Sequence, residues 1–227
     1  MNIEIIHRPS NTAAKVILSP NESITTEAGA MIAMSGDMSI ETTTYKKEGS
    51  GGILKALKRL LAGESFFLNH FTAGSKGGEL YLATTLNGDM LSLDAKGKTL
   101  IVQAGSFVAA EKTVNLETGW QGFKNLFSGE SFFWLKISGE GKFVINSFGM
   151  IYPVEVDGAY IVDTGHIVAF DDTLSFTIAK SGKSLFSSFI SGEGLVCKFQ
   201  GKGTVWCQSH NPSSFGNTLS SLLKPRR

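Results

Sequence analysis

Glu27-Ala-Gly-Ala-Met-Ile-Ala33, Gln103-Ala-Gly-Ser-Phe-Val-Ala109 and Asp163-Thr-Gly-His-Ile-Val-Ala169 are three versions of one stretch. Each holds a glycine (Gly29, Gly105, Gly165), a variable residue, two apolar residues and an alanine. The alignment starts at Ile24, Leu100 and Tyr160 and runs ungapped for about eighteen residues. A unit that recurs at such a spacing is a structural repeat, and its residues say which kind. Short apolar-polar alternations flank it, at Met38-Ser39-Ile40-Glu41, Val114-Asn115-Leu116-Glu117 and Leu174-Ser175-Phe176-Thr177. Period 2 is the mark of a strand with one buried face.

Around that stretch the parts keep one order. A short strand and a turn come first, with Pro20-Asn21, Lys96-Gly97 and Asp157-Gly158 at the turns. Such residues tolerate tight-turn dihedrals. The glycine strand and the alternating strand follow, then a stretch with helical spacing. A second signature comes next: Gly63-Glu64-Ser65, Gly129-Glu130-Ser131 and Gly192-Glu193-Gly194. Two apolar runs close each unit. Gly-rich connections such as Ser138-Gly139-Glu140-Gly141 and Gln200-Gly201-Lys202-Gly203 predict hairpins there.

These parts predict an all-β fold of three internal repeats in one pseudo-three-fold domain, with a short helix before each Gly-Glu turn. The expected domain spans 1–210, with repeats at about 1–86, 87–148 and 149–210, and 211–227 forms a C-terminal helix or tail. No repeat carries enough apolar surface to bury its own face, so the three should share a core.

The order of parts resembles the family named for altered inheritance of mitochondria, over nearly the whole chain. The resemblance implies a fold like that of the tryptophan RNA-binding attenuation protein, or like a double-stranded β-helix. It implies self-association as a homo-oligomer, with a trimer as the candidate state. Eukaryotic relatives are associated with the mitochondrial inner membrane. The family offers no catalytic residues to carry over. No ligand-binding motif of the attenuation protein stands in this sequence, so its RNA and tryptophan binding do not transfer.

Composition narrows the function. Hydrophobic residues are 42% and charged residues 18%, which suits a packed core and argues against disorder. The 21 basic residues nearly balance 20 acidic ones, so no global field favours DNA or RNA. The N-terminus carries Glu4 and lacks a secretory pattern, and no apolar run is long enough to span a bilayer. The expected location is cytoplasmic, with peripheral membrane association as an option. The two cysteines, Cys197 and Cys207, are no disulfide framework and read as buried thiols; the sequence leaves their relative register open.

The sharpest local feature lies in the first repeat. Ile53, Leu54, Leu57, Leu60 and Leu61 share one helical face, while Lys55, Lys58 and Arg59 fall opposite, behind a Gly49-Ser50-Gly51-Gly52 lead-in. Such a helix suits an anionic membrane surface or a partner groove. A structural reading competes with it. Trp120, Phe123, Leu126 and Phe127 in repeat two, and Leu185, Phe186, Phe189 and Ile190 in repeat three, hold the same place. Three such helices would cap the sheet or meet in an oligomer. Phe215, Leu219, Leu222 and Leu223 form a second apolar stripe near the C-terminus, before Lys224, Arg226 and Arg227.

Catalytic chemistry finds no foothold. Glu64, Glu130 and Glu193 are equivalent and could meet near an axis to hold a hard cation, but turn glutamates facing backbone N–H groups or solvent explain them as well. His7, His70, His166 and His210 have no ligand spacing. Ser65 and Ser131 lack the nucleophile-elbow glycines. The expectation is a protein without cofactor or metal that is not an enzyme and acts as a self-associating scaffold or membrane-peripheral adaptor. The rival is a small-ligand binding module lined by Trp120, Trp134 or Trp206.

Overall fold

The computed structural model describes residues 1–44, 67–118, 134–180 and 195–223. The first repeat supplies β1 (Asn2–Ile6), β2 (Ala13–Leu18), β3 (Ser23–Glu27), β4 (Met31–Met34), β5 (Ser39–Thr44), β6 (Phe67–Thr72) and β7 (Gly78–Leu82). The second supplies β8 (Met90–Asp94), β9 (Leu100–Gln103), β10 (Phe107–Glu111), β11 (Val114–Thr118), β12 (Trp134–Gly139) and β13 (Lys142–Asn146). The third has β14 (Ile151–Asp163), β15 (Ile167–Asp171), β16 (Ser175–Lys180) and β17 (Leu195–Gln208). Among the described residues one α-helix, α1 (Pro212–Leu222), follows. The fold is all-β.

Among the described residues the strands form three antiparallel sheets. One runs β1-β2-β7-β4 and a second runs β5-β6-β3-β10-β13-β8. The third runs β11-β12-β9-β15-β17-β14, with β16 also on β17. Alternation explains the outer strands: in β2, Ala14, Val16 and Leu18 turn inward while Lys15 and Ile17 do not. β10 differs, since Phe107, Val108, Ala109 and Ala110 are all buried. A strand covered on both faces has no wet side to supply with polar residues.

The glycine stretches turn the chain into β4, β10 and β15. Each of these strands carries a register shift at the same place, between Met31 and Ala33, Phe107 and Ala109, and Ile167 and Ala169. Three glycines therefore serve one joint differently. Gly29 takes φ +99°, Gly105 has open space around it, and Gly165 lies against the Asn211 side chain.

The closing segments depart from the hairpin expectation. β12 pairs with β9 and β11, and β13 pairs with β8 and β10, so the two consecutive strands share no ladder. β6 and β7 likewise lie in different sheets. The Gly-rich segment is a corner at which the chain leaves one sheet for the next. In the third repeat this corner is smooth: β14 pairs with β17 without a break from Ile151↔Gln208 to Asp163↔Val196. Gly139 shows why glycine is needed at a corner. It sits at φ +100°, and a Cβ there would stand 2.6 Å from the Thr113 carbonyl oxygen.

Among the described residues three apolar clusters fill the interior, and each crosses a repeat boundary, the third through Ile101 and Trp134 of the second repeat. Val16, Phe71 and Leu80 pack with Val108 and Val144. Phe107, Leu135 and Phe143 pack with Val168 and Ala169. The third gathers Phe170, Phe199 and Val205 with both cysteines. Phe170 meets Phe199 at 5.1 Å between ring centroids and Trp134 at 5.8 Å edge-on.

Candidate interaction edges

The two larger sheets are built alike. β5, β6 and β3 come from the first repeat and join β10, β13 and β8 of the second. β11, β12 and β9 come from the second and join β15, β17 and β14 of the third. Each join is one seam between two strands. In the first seam Thr26 faces Ala109 and Thr25 faces Ala110. In the second Val102 faces Ala169 and Ile101 faces Phe170. Seam residues are buried: Thr26, Ile101, Val102, Ala109 and Ala169 are fully enclosed.

One half-sheet at each end of the series lacks its seam. β4 is the edge of β2-β7-β4, and among the described residues no strand pairs with its outer side. The second half of β14, Gly158 to Asp163, pairs with β17 on one side, and no described strand occupies the other. By position β4 corresponds to β10 and β15, and this half of β14 corresponds to β3 and β9.

The exposed residues on both edges are apolar. Ile32 is 59% exposed, where its counterparts Val108 and Val168 are buried. Ile161 is 60% exposed, where Ile101 is buried. Met31, Met34 and Tyr160 are exposed as well. Edge strands are ordinarily protected from further pairing by charge, proline or a bulge. The outer strands of this protein obey that rule: the first half of β14 carries Pro153 and Glu155, and β11 carries Glu117. Neither β4 nor the Ala159–Val162 run of β14 has a charge or a proline, and the register shift in β4 is the one that β10 and β15 also carry while pairing across their seams.

The positions singled out in the sequence divide. Gly29, Gly105 and Gly165 stand at the joints before β4, β10 and β15. The apolar-basic stretch of Ile53, Leu54, Lys55, Leu57, Lys58, Arg59, Leu60 and Leu61 lies outside the described residues. So do Gly63, Glu64, Gly129, Glu130, Gly192 and Glu193, and the helical stretches of repeats two and three. The C-terminal stripe is α1, capped by Asn211, whose Oδ1 accepts from the Ser213 and Ser214 N–H groups at 2.9 and 3.2 Å. Phe215 touches Phe148, while Leu222 and Leu223 stand in the open.

Both cysteines and two of the four histidines are held in the structure. Burial pushes the Cys197 thiol up to about 12 and Cys207 to about 11, so neither is a ready nucleophile. His70 lies between the Thr25 and Thr43 hydroxyls at 2.9 and 2.8 Å. His166 Nδ1 lies 2.8 Å from the Gln208 carbonyl oxygen. Among the described residues no three His, Cys, Asp or Glu side chains cluster to hold a metal ion. No helix among them is long and apolar enough to cross a membrane.

The profile of the family described as mitochondrial biogenesis AIM24 matches residues 3–210. The chain belongs to the AIM24 family. An uncharacterised protein of Streptococcus pyogenes serotype M6 is 29% identical over 206 residues, covering 88% of this chain and 82% of that one. A crystal structure of a Streptococcus pyogenes protein from a structural genomics programme superposes with a TM-score of 0.79 at 26% identity. It covers 98% of this chain and 99% of that chain. The AIM24 match includes all three glycine stretches and both open edges.

The edges were hidden from sequence reasoning. Nothing in the local pattern separates Ile32 and Ile161 from their repeat counterparts Val108, Val168 and Ile101. A series of three units can pair its last with its first or end in two unmatched edges, and the sequence carries no signal that chooses between them.

Proposed function

We propose that this AIM24 protein is a non-enzymatic scaffold that works by binding copies of itself, with a closed trimer as the expected state. One observation carries the reading: the series of paired repeats ends in two apolar strand edges that no described strand covers. Such edges are unfavourable in a monomer and are satisfied by another chain. The buried, raised thiols and the histidines engaged with hydroxyl and carbonyl groups agree with a structural role. Light scattering coupled to size exclusion tests the reading. A mass of several chains across a dilution series supports it, and a stable monomer refutes it.

The exposed stripe of α1 favours a second, compatible role as a membrane-peripheral adaptor. Leu222 is 78% exposed and Leu223 69%, beside half-open Phe215 and Leu219. An apolar helix face followed in the sequence by Lys224, Arg226 and Arg227 suits an anionic lipid surface. Co-sedimentation with anionic liposomes at low and high salt tests it. Binding that Leu219→Ser with Leu222→Ser abolishes supports lipid contact, and no binding at low salt refutes it.

A further inference from the structure

We propose that the second half of β14 in one copy pairs antiparallel with β4 of a second copy, setting Ile161 opposite Met34 and Val162 opposite Ala33. The proposal rests on the self-association reading and names its interface.

The register comes from the two seams inside the chain. Thr26 faces Ala109 and Thr25 faces Ala110 across β3 and β10. Val102 faces Ala169 and Ile101 faces Phe170 across β9 and β15. In the repeat alignment Thr26 and Val102 correspond to Val162, and Ala109 and Ala169 correspond to Ala33. The third seam then reads Val162 with Ala33, Ile161 with Met34 and Tyr160 with Ser35.

The two half-sheets are complementary in content. The third repeat ends in β16, β17 and β14 without a following partner. The first begins with β4, β7 and β2 without a preceding one. Their union repeats the six-strand order of the two complete sheets, with β1 added beyond β2. It would also cover Ile32 and Ile161, whose counterparts are enclosed at the internal seams. β4 and β14 of the same chain are not paired with one another here. The occupant of each edge is therefore the other edge of a second copy.

This contact is heterologous, since β14 of each copy meets β4 of the next. Head-to-tail contacts leave no edge open only when the copies close into a ring. An extended peptide from another protein would bond to the backbone of either edge without requiring that Ile161 and Met34 of two copies face each other.

Charge exchange and cross-linking test the interface on the full chain. Ile161→Glu and Met34→Lys each introduce a charge at an exposed position, so each variant should fold, with a melting curve as the check. Each alone should lower the mass to that of the 24.3 kDa chain. The two together in one chain should restore the wild-type mass, because opposite charges then face each other. In a second arm Ile161→Cys and Met34→Cys are combined and mildly oxidised. Directly opposed strand residues lie within disulfide reach, so cross-linked multiples of the chain should appear. Ile161→Cys with Ile32→Cys, two positions out of register, should cross-link at least tenfold less. An oligomer whose mass ignores both charges and which forms no interchain disulfide would overturn this interface while leaving self-association standing. A disulfide formed within a monomer would overturn both.

Discussion

Val102 lies opposite Ala169 across the seam between β9 and β15, and both side chains are fully buried. The seam is thus part of the core as well as a join between repeats. Its small residue matters, because the strand is covered on both faces and its neighbours already fill the space. Ala169→Leu should therefore destabilise the fold by about 1–3 kcal/mol through overpacking. The corresponding Ala33→Leu sits on the exposed edge β4. It should shift the unfolding midpoint of the dilute chain by no more than about 0.5 kcal/mol. Urea titration of the two variants distinguishes a shared core position from an interface position.

Glycines separate in the same way. A Cβ on Gly88 would stand 1.7 Å from the Ser147 carbonyl oxygen, where the backbone around Asn87 and Gly149 runs side by side. Gly88→Ala must push two backbone segments apart, so a loss of at least about 2 kcal/mol is expected. Gly105 has nothing within 4 Å of its Cβ position, although it belongs to the repeat-defining stretch. Gly105→Ala should change stability by less than about 0.5 kcal/mol. A large loss at Gly105 would mean that the repeated glycine is needed for something other than space.

Arg8 holds Asp89 through two 2.8 Å hydrogen bonds, and the carboxylate side chain is only 1% exposed. Burial alone would raise the Asp89 pKa. The bonds from Arg8 and from the Met90 N–H outweigh burial and hold it below the usual carboxylate range. A carboxyl depressed in the folded state contributes stability at pH values above its unfolded pKa of about 3.9. That contribution is lost as pH falls through the folded value. Arg8→Ala removes the compensation and keeps the burial, so at pH 7 it should cost about 2 kcal/mol. The difference between wild type and variant should shrink on acidification below about pH 4, which thermal melts across pH would show.

The two thiols give an opposite pH dependence. Both are protonated in the fold well above the ordinary cysteine value of about 8.5. The unfolded chain releases these protons first, so stability should be constant below about pH 8.5 and fall above it. The fall should approach about 1.4 kcal/mol per pH unit per thiol up to the folded values. Native protein should react with a disulfide reagent only as fast as it opens, and denatured protein at once. Fast native labelling of either cysteine would refute this picture.

Ile24, Leu100 and Tyr160 opened an alignment in which period-2 patterns, turn residues and repeated glycines all pointed to strands. These are local properties, set by backbone sterics and by the need to give each strand an apolar face, so the sequence alone determined the all-β class and the recurrent order of parts. Pairing is different, because it depends on which strands meet in space. Ser138-Gly139-Glu140-Gly141 has the chemistry of a hairpin and serves as a corner, since glycine's freedom permits either course and only the neighbours β8 and β9 select one. Cys197 and Cys207 were expected to be buried thiols; their place on the same strand, β17, came from the sheet. Ile161 and Ile101 are the same residue in the same repeat position, yet one is enclosed and the other exposed. Only the tertiary structure decided that difference, because burial is set by the strand across the seam, and for Ile161 no described strand of this chain lies there.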